Sequence, residues 1–267
     1  MRSPTNKLKI GVLGGKGLLG SALVLELGND FETVAIDREN YKDHLGASFD
    51  VLINANGNSK RFWANEHIVE DFEASTASVY RSLFDFNFRK YIYISSSDVY
   101  EDHSSPTTTK EETVINCRNL SPYGFHKYLS EQIVAKNAPD HIILRCSMMI
   151  GQNITKGPFF DALHGKPLFI TPGSRLQLIT VHEVARIVRA VIGGSVSNEV
   201  FNVGGTGTFL FERIGAYVPG SLSVGPEALE QRYEMDVRKI SRLFPIATSE
   251  EYANDFLAHY PHDPKNS

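Results

Sequence analysis

Leu8-Lys-Ile-Gly-Val-Leu-Gly14-Gly-Lys-Gly17-Leu-Leu-Gly20 is the stretch that decides the fold. Leu8 to Leu13 is a short β-type run. It stops at glycines, and the chain then turns helical, with Leu19, Leu23 and Leu27 at i, i+4 spacing and Gly28 as the stop. Strand, glycine turn and helix in that order place the spacing G-x-x-G-x-x-G where a dinucleotide pyrophosphate is held. Gly14 permits the tight turn, Gly17 lets backbone approach the phosphates, and Gly20 lets helix and strand pack closely. The helix N-terminus, beginning at Leu18, then faces the phosphates. A second strand, Thr33 to Ile36, ends in Asp37, about 20 residues beyond the turn, where a carboxylate would bond the adenosine ribose hydroxyls. That carboxylate repels a 2′-phosphate and favours NAD, whereas the adjacent Arg38 could pair with one and tolerate NADP.

Working outward, a short crossover, a helical turn or loop around Tyr41 to Leu45, leads to a strand at Asp50 to Ile53. It ends in Asn54-Ala55-Asn-Gly57, small and amide-bearing residues suited either to lying under a cofactor's ribose or to a plain turn. Glu66 to Phe88 reads as one long helix, and Tyr91 to Ile94 as a fourth strand leading into Ser95-Ser-Ser-Asp-Val-Tyr100. Hydroxyls at the carboxyl end of a strand lie where open α/β sheets bind ligands.

After a polar loop comes Ser121-Pro-Tyr-Gly-Phe-His-Lys127-Tyr-Leu-Ser-Glu131. Ser121 suits the N-cap and Pro122 the first helical position. Tyr123 and Lys127, four apart, share one face, and Phe125, Leu129 and Ile133 form an apolar stripe roughly 200° away at about 100° per residue. The expectation is that the stripe packs and the Tyr-Lys face works. An ammonium beside a phenol favours the phenolate and is expected to pull its pKa from about 10 toward neutrality, as proton transfer to or from a hydroxyl or carbonyl requires. Taken alone, the pattern describes an ordinary amphipathic helix with a surface Tyr and Lys, so its weight comes from the rest of the chain.

A fifth strand (His141 to Arg145), a helix ending near Gly165, a strand at Pro167 to Ile170, a helix at Val181 to Val191 and a strand at Glu199 to Val203 follow; from Thr208 the chain reads as short helices and turns. The alternation predicts an α/β protein with a doubly wound parallel sheet, residues 1–150 forming the dinucleotide-binding domain, completed by the strand near 199–203, and residues 151–267 mainly a small substrate-binding lobe that shares a cleft with it. At 267 residues, 42% hydrophobic and net charge −4, with no Lys/Arg-rich run, the chain offers nucleic acid or an anionic membrane no broad electrostatic handle. Cys117 and Cys146 are too few for a disulfide framework and lack metal-ligand spacing, so no metal is expected. No apolar run approaches about 18 residues, and Met1 to Lys9 lacks the apolar core of a signal peptide, which predicts a soluble, cytoplasmic protein.

The glycine turn, Ser95-Ser-Ser-Asp-Val-Tyr100, Ser121-Pro-Tyr-Gly-Phe-His-Lys127, Leu144-Arg145 with Ile150-Gly151, Ile179-Thr-Val-His-Glu-Val-Ala185 and Val200-Phe-Asn-Val-Gly204 resemble, in order, the signatures of the extended short-chain dehydrogenase/reductases, the NAD-dependent epimerases and dehydratases of nucleotide sugars. The resemblance spans roughly residues 8 to 245. It implies a Rossmann fold, a nucleotide-sugar substrate and a homodimer formed through the helices at Glu66 to Phe88 and Ser121 to Asn137. It also makes Tyr123 the general acid/base, Lys127 the group that lowers its pKa and holds the nicotinamide ribose, and Ser96 the hydroxyl partner, with Ser95 or Ser97 as substitutes. Departures accompany it. Ser75 stands where the family often has an asparagine, Met148 where epimerases have an asparagine on the substrate diphosphate, and Leu176 where an arginine is usual, with Arg175 one place off. Two alternatives therefore stay open: a same-fold reductase of a non-nucleotide alcohol or ketone, and a non-catalytic NAD(P)-binding regulatory protein. The family's dehydratases carry an Asp-Glu pair where this chain has Ser97-Asp98, so no 4,6-dehydration is expected. The short second crossover and Ile53-Asn-Ala lean toward the smaller 4-keto-sugar reductases.

Overall fold

In the computed structural model, which describes residues 7–58 and 60–261, six strands form the central sheet: β1 (Lys9–Leu13), β2 (Glu32–Ile36), β3 (Ser48–Asn54), β4 (Asn87–Ser96), β5 (His141–Cys146) and β6 (Glu199–Val203). Their order across the sheet is β6-β5-β4-β3-β1-β2, and β1 to β5 run parallel. Near-continuous apolar runs such as Val51–Ile53 and Ile142–Leu144 suit strands covered on both faces. β1 has β2 on one side and β3 on the other, so the winding reverses between β1 and β3. In open α/β sheets the crevice at such a reversal is the ligand site. Leu13 is in register with both Ile36 and Asn54, which brings the glycine turn, Asp37 and the Asn54 loop to one end of the sheet.

Helices α1 (Leu18–Gly28), α2 (Ser78–Asp85), α3 (Pro122–Asn137) and α4 (Val181–Gly193) cover the sheet. α1 packs on α4, and α2 on α3 over a core of Phe49, Leu52, Val79, Leu83, Tyr91 and Val134. The crossover after β2 is a single 3-10 turn, Tyr41–His44, pinned by the Tyr41 hydroxyl donating to Asp85 at 2.8 Å.

The long helix expected from Glu66 to Phe88 is broken up. Arg61–Glu66 is a separate short helix, Ile68–Asp71 leads into a π-helical turn, Phe72–Ala77, and only then does α2 run, ending at Asp85. Two causes are visible. Asp71, Ser75 and Thr76 turn polar groups inward where the π turn widens the helix, and β3 starts at Ser48, pairing with Asn87, so Phe88 becomes strand.

The chain divides into two compact units, residues 1–101, 114–146 and 181–201 forming the first and residues 102–113, 147–180 and 202–267 the second. The second holds three small sheets around Phe159, Phe209, Phe211 and Phe256. Buried Gln177 bonds the carbonyls of Gly205 and Met235, and buried Asn202 those of Thr109 and Asp236. Beyond Thr208 the chain is more regular than its sequence suggests, with a strand at Val224–Leu229 and a helix, Ser249–His259, started by a capping box of Thr248 and Glu251. The polar stretch at Met1–Asn6 lies outside the described residues. Among the described residues no helix is long and apolar enough to cross a membrane.

Candidate active site

The glycine turn is built by close approach. Gly14 has φ +78°, and a Cβ there would sit 3.1 Å from the Ala55 carbonyl oxygen and from Asn56; a Cβ on Gly20 would land 1.9 Å from the Gly14 carbonyl oxygen. Gly17 is the N-cap of α1 and makes no side-chain cap, so the amides of Leu18 and its neighbours open the helix without a capping oxygen. Asp37 lies against this turn: Oδ1 accepts from the Lys16 amide at 3.1 Å, and Oδ2 is buried with no hydrogen-bond partner. Arg38 is exposed, and Lys16 pairs with Glu39. Asn54 does not turn toward the turn's open side. Its amide donates to Ser82 and Tyr91 inside the core and its Oδ1 accepts from the Asn56 amide, which leaves Asn54 and Ala55 only their backbone to offer a ligand.

At the end of β4, Ser96 donates to Asp98 Oδ2 at 2.8 Å and is among the groups acting on the Tyr123 phenol. Ser95 points away and donates to Glu131 at 2.5 Å, and Ser97 is buried, so of the three serines Ser96 is the one beside the phenol. Lys127 is buried; its Nζ donates to the Ile94 carbonyl at 3.1 Å and lies 5.3 Å from the centre of the Tyr93 ring. Gly57, at φ +122°, fits between Lys127 and Ser75: a Cβ there would come within 3.7 Å of Lys127 Nζ and 3.6 Å of Ser75 Oγ.

The acid–base balance differs from the one expected. Burial, reinforced by the nearby Asp98 carboxylate, pushes the Tyr123 phenol above its ordinary value, and the opposing pulls of Arg61 and Ser96 are smaller. Lys127 is not among the largest influences on the phenol. Its own ammonium is desolvated, which brings its pKa down to about 8 against the pull of Cys146, Asp71, Glu131 and Asp98.

The packing of α3 is also reversed. Its buried residues are Tyr123, Gly124, His126, Lys127, Ser130, Glu131 and Val134, while Phe125 is exposed and Leu129 and Ile133 are only half-buried. The polar face goes inward because every charge on it is met. Glu131 takes Arg145 in a forked ion pair, Nη2 to Oε2 at 2.7 Å and Nε to Oε1 at 3.0 Å, and Arg145 reaches Tyr100 at 2.9 Å. His126 Nδ1 is 2.6 Å from Asp71, whose other oxygen accepts from Asn58 at 3.0 Å and Ser75 at 3.2 Å. Arg61, Asp71 and His126 went unseen in the sequence, since their partners lie 37 and 55 residues away. The spacing 123, 126, 127, 130, 131, 134 is nonetheless that of a buried helical face, masked by its polarity. Cys146 is buried beside this cluster with its thiol pushed up to about 12, and Cys117 is exposed; both are free. Among the described residues no cluster of His, Cys, Asp or Glu could hold a metal ion.

Residues 10–204, from β1 to the end of β6, match the NAD dependent epimerase/dehydratase family. The chain belongs to that family. Solved structures agree on the fold. MoeE5 in complex with UDP-glucuronic acid and NAD superposes with a TM-score of 0.78 at 17% identity, covering 94% of this chain and 97% of that one. The dTDP-4-dehydrorhamnose reductase of Bacillus anthracis in complex with NADP gives 0.77 at 15% identity, covering 96% and 99%. The UDP-N-acetylglucosamine 4-epimerase of Methanobrevibacter ruminantium in complex with UDP-N-acetylmuramic acid gives 0.74 at 17%, covering 95% and 98%. At these identities the likeness establishes the Rossmann-type fold of this family member.

Proposed function

We propose that this family member is an NAD(P)-dependent oxidoreductase or epimerase of a sugar nucleotide, working through Ser96, Tyr123 and Lys127. The observation that carries the reading is that Tyr123 and, one helical turn on, Lys127 are both buried on α3, with Ser96 at the end of β4 among the groups acting on the phenol. Three features of the first unit support the reading: a turn where added Cβ atoms would clash, an uncapped helix N-terminus and the orphaned Oδ2 of Asp37, which would take a ribose hydroxyl. That carboxylate favours NAD over NADP. When bound, the nicotinamide supplies or accepts the hydride. Tyr123 gives a proton to the forming alkoxide or takes one from a sugar hydroxyl, Ser96 holds the same oxygen, and Lys127 holds the nicotinamide ribose. The second unit would take the sugar nucleotide.

Elimination finds no support here, since Ser97 is buried and Asp98 is engaged by Ser96 and Arg61. Oxidation and return of hydride at one carbon, or ketone reduction, needs only the three residues named. A carbonyl substrate without a diphosphate is the second reading, favoured by apolar Met148 and by Leu176, which is fully buried rather than cationic. We further propose a homodimer in which a second copy covers the exposed Phe72, Tyr80, Phe84 and Phe125.

The test is Tyr123→Phe, assayed by NMR of products from a panel of nucleotide sugars and their 4-keto forms. Turnover should fall by about 10²-fold or more while dinucleotide affinity stays nearly unchanged. Retention of more than about a tenth of the activity would remove Tyr123 from its role.

A further inference from the structure

Three donors meet at Asp71, which is fully buried at the end of the helix Ile68–Asp71, where the π turn begins. Asn58 Nδ2 donates to its Oδ1 at 3.0 Å and the Ser75 hydroxyl to the same oxygen at 3.2 Å, while His126 Nδ1 lies 2.6 Å from Oδ2. An ionised carboxylate only accepts, so Nδ1 carries a proton. Ser75 has one proton and gives it to Asp71, which leaves its oxygen to accept the Asn58 amide at 3.3 Å. His126 is itself held, because its carbonyl accepts from Thr76 at 3.2 Å and from Ser130 at 2.7 Å.

Asn58 ends a loop that packs on both halves of the candidate site. Residues 55–58 follow Asn54, whose side chain is anchored in the core and whose Oδ1 holds the Asn56 amide at 3.0 Å. The first half of the loop lies on the glycine turn, since a Cβ on Gly14 would meet the Ala55 carbonyl oxygen and Asn56 at 3.1 Å. The second half lies on the lysine: at Gly57, with φ +122°, a Cβ would sit 3.7 Å from Lys127 Nζ. We propose that Asp71 is a positioning residue for the dinucleotide: through Asn58 and Ser75 it holds the loop 55–58 as a brace between the glycine turn and Lys127, and through His126 it ties that brace to the residue preceding the lysine. Walled by Gly57 and bonded to the Ile94 carbonyl at 3.1 Å, the ammonium is in place before a ligand arrives, and a preorganised donor appears as affinity. Burial works against that ammonium, and Asp71 is among the charges that favour it. The inference rests on the proposed role of Lys127 at the nicotinamide ribose.

Asn58→Ala and Ser75→Ala each open the latch without leaving a buried charge unpaired. Asn58→Ala also frees Lys60, whose amide and carbonyl the asparagine side chain holds, whereas Ser75→Ala does not, so agreement between the two isolates the contact with Asp71. Calorimetric titration of NADH into each variant, alone and combined with Lys127→Met, tests the brace. Each single variant should bind about fivefold or more weakly than wild type, and in the Lys127→Met background the same substitution should cost less than about twofold, because the group it positions is gone. Equal weakening in both backgrounds would overturn the inference, since a merely loosened loop loses affinity whether or not the lysine is present. So would affinity in both single variants within about twofold of wild type. If the wild type binds no dinucleotide, the proposed function itself falls, whereas additive losses in a protein that binds NADH remove only the brace.

Discussion

The glycine turn after β1 and the helix α3 both present a surface at the carboxyl ends of the strands, and they do so by opposite means. The turn works by the absence of side chains: backbone meets backbone at Gly14 and Gly20, and the free groups are amides and the unpaired oxygen of Asp37. α3 works by an excess of them, since an imidazole, an ammonium and a carboxylate are all driven inward and each is met by a partner from another element. A site of the first kind is robust to the loss of a charge and intolerant of an added methyl group. One of the second kind is the reverse, because an unpartnered buried charge costs far more than a small change in volume.

The largest effect should come from removing one partner on α3. Glu131→Ala strands the Arg145 guanidinium in the core and should cost about 3–5 kcal/mol in chemical denaturation. A loss below about 1 kcal/mol would mean that water or Tyr100 already compensates the cation. Next comes the added methyl group. Gly20→Ala puts a Cβ 1.9 Å from the Gly14 carbonyl oxygen, where only backbone can give way, and should cost about 3 kcal/mol and most of the dinucleotide affinity. Unchanged stability would show that α1 can slide along β1. The smallest effect is on selectivity: Asp37→Ala should narrow the preference for NAD(H) over NADP(H) by roughly tenfold, about 1.4 kcal/mol, in a binding titration. A wild-type preference for NADPH would instead show that the exposed Arg38 outweighs the carboxylate.

The same contrast explains what could be read from the chain. The glycine turn was legible because its cause is local: strand, spacing and helix all lie within Leu8 to Gly28, and Asp37 follows on the next strand. For α3, hydrophobicity alone sends Phe125, Leu129 and Ile133 inward, whereas the structure buries Tyr123, Lys127 and Glu131. What reverses it is Arg145 on β5 and Asp71 before the π turn, contacts that close only in three dimensions. The raised phenol has the same origin. Spacing places Lys127 near Tyr123, but the Asp98 charge and the depth of burial come from the fold.

The central claim is that these two regions hold one dinucleotide between them, the turn at its pyrophosphate and Lys127 at its nicotinamide ribose. Calorimetric titration of NAD(H) into wild type, Tyr123→Phe and Lys127→Met tests it most directly. Because the Lys127 amine is charged only below its depressed pKa of about 8, wild-type affinity should weaken as pH rises through that value. Tyr123→Phe should bind as wild type does, and Lys127→Met should bind about tenfold or more weakly, having lost a charged hydrogen-bond donor. Failure of the wild type to bind a dinucleotide, or binding undiminished in Lys127→Met, would contradict the account.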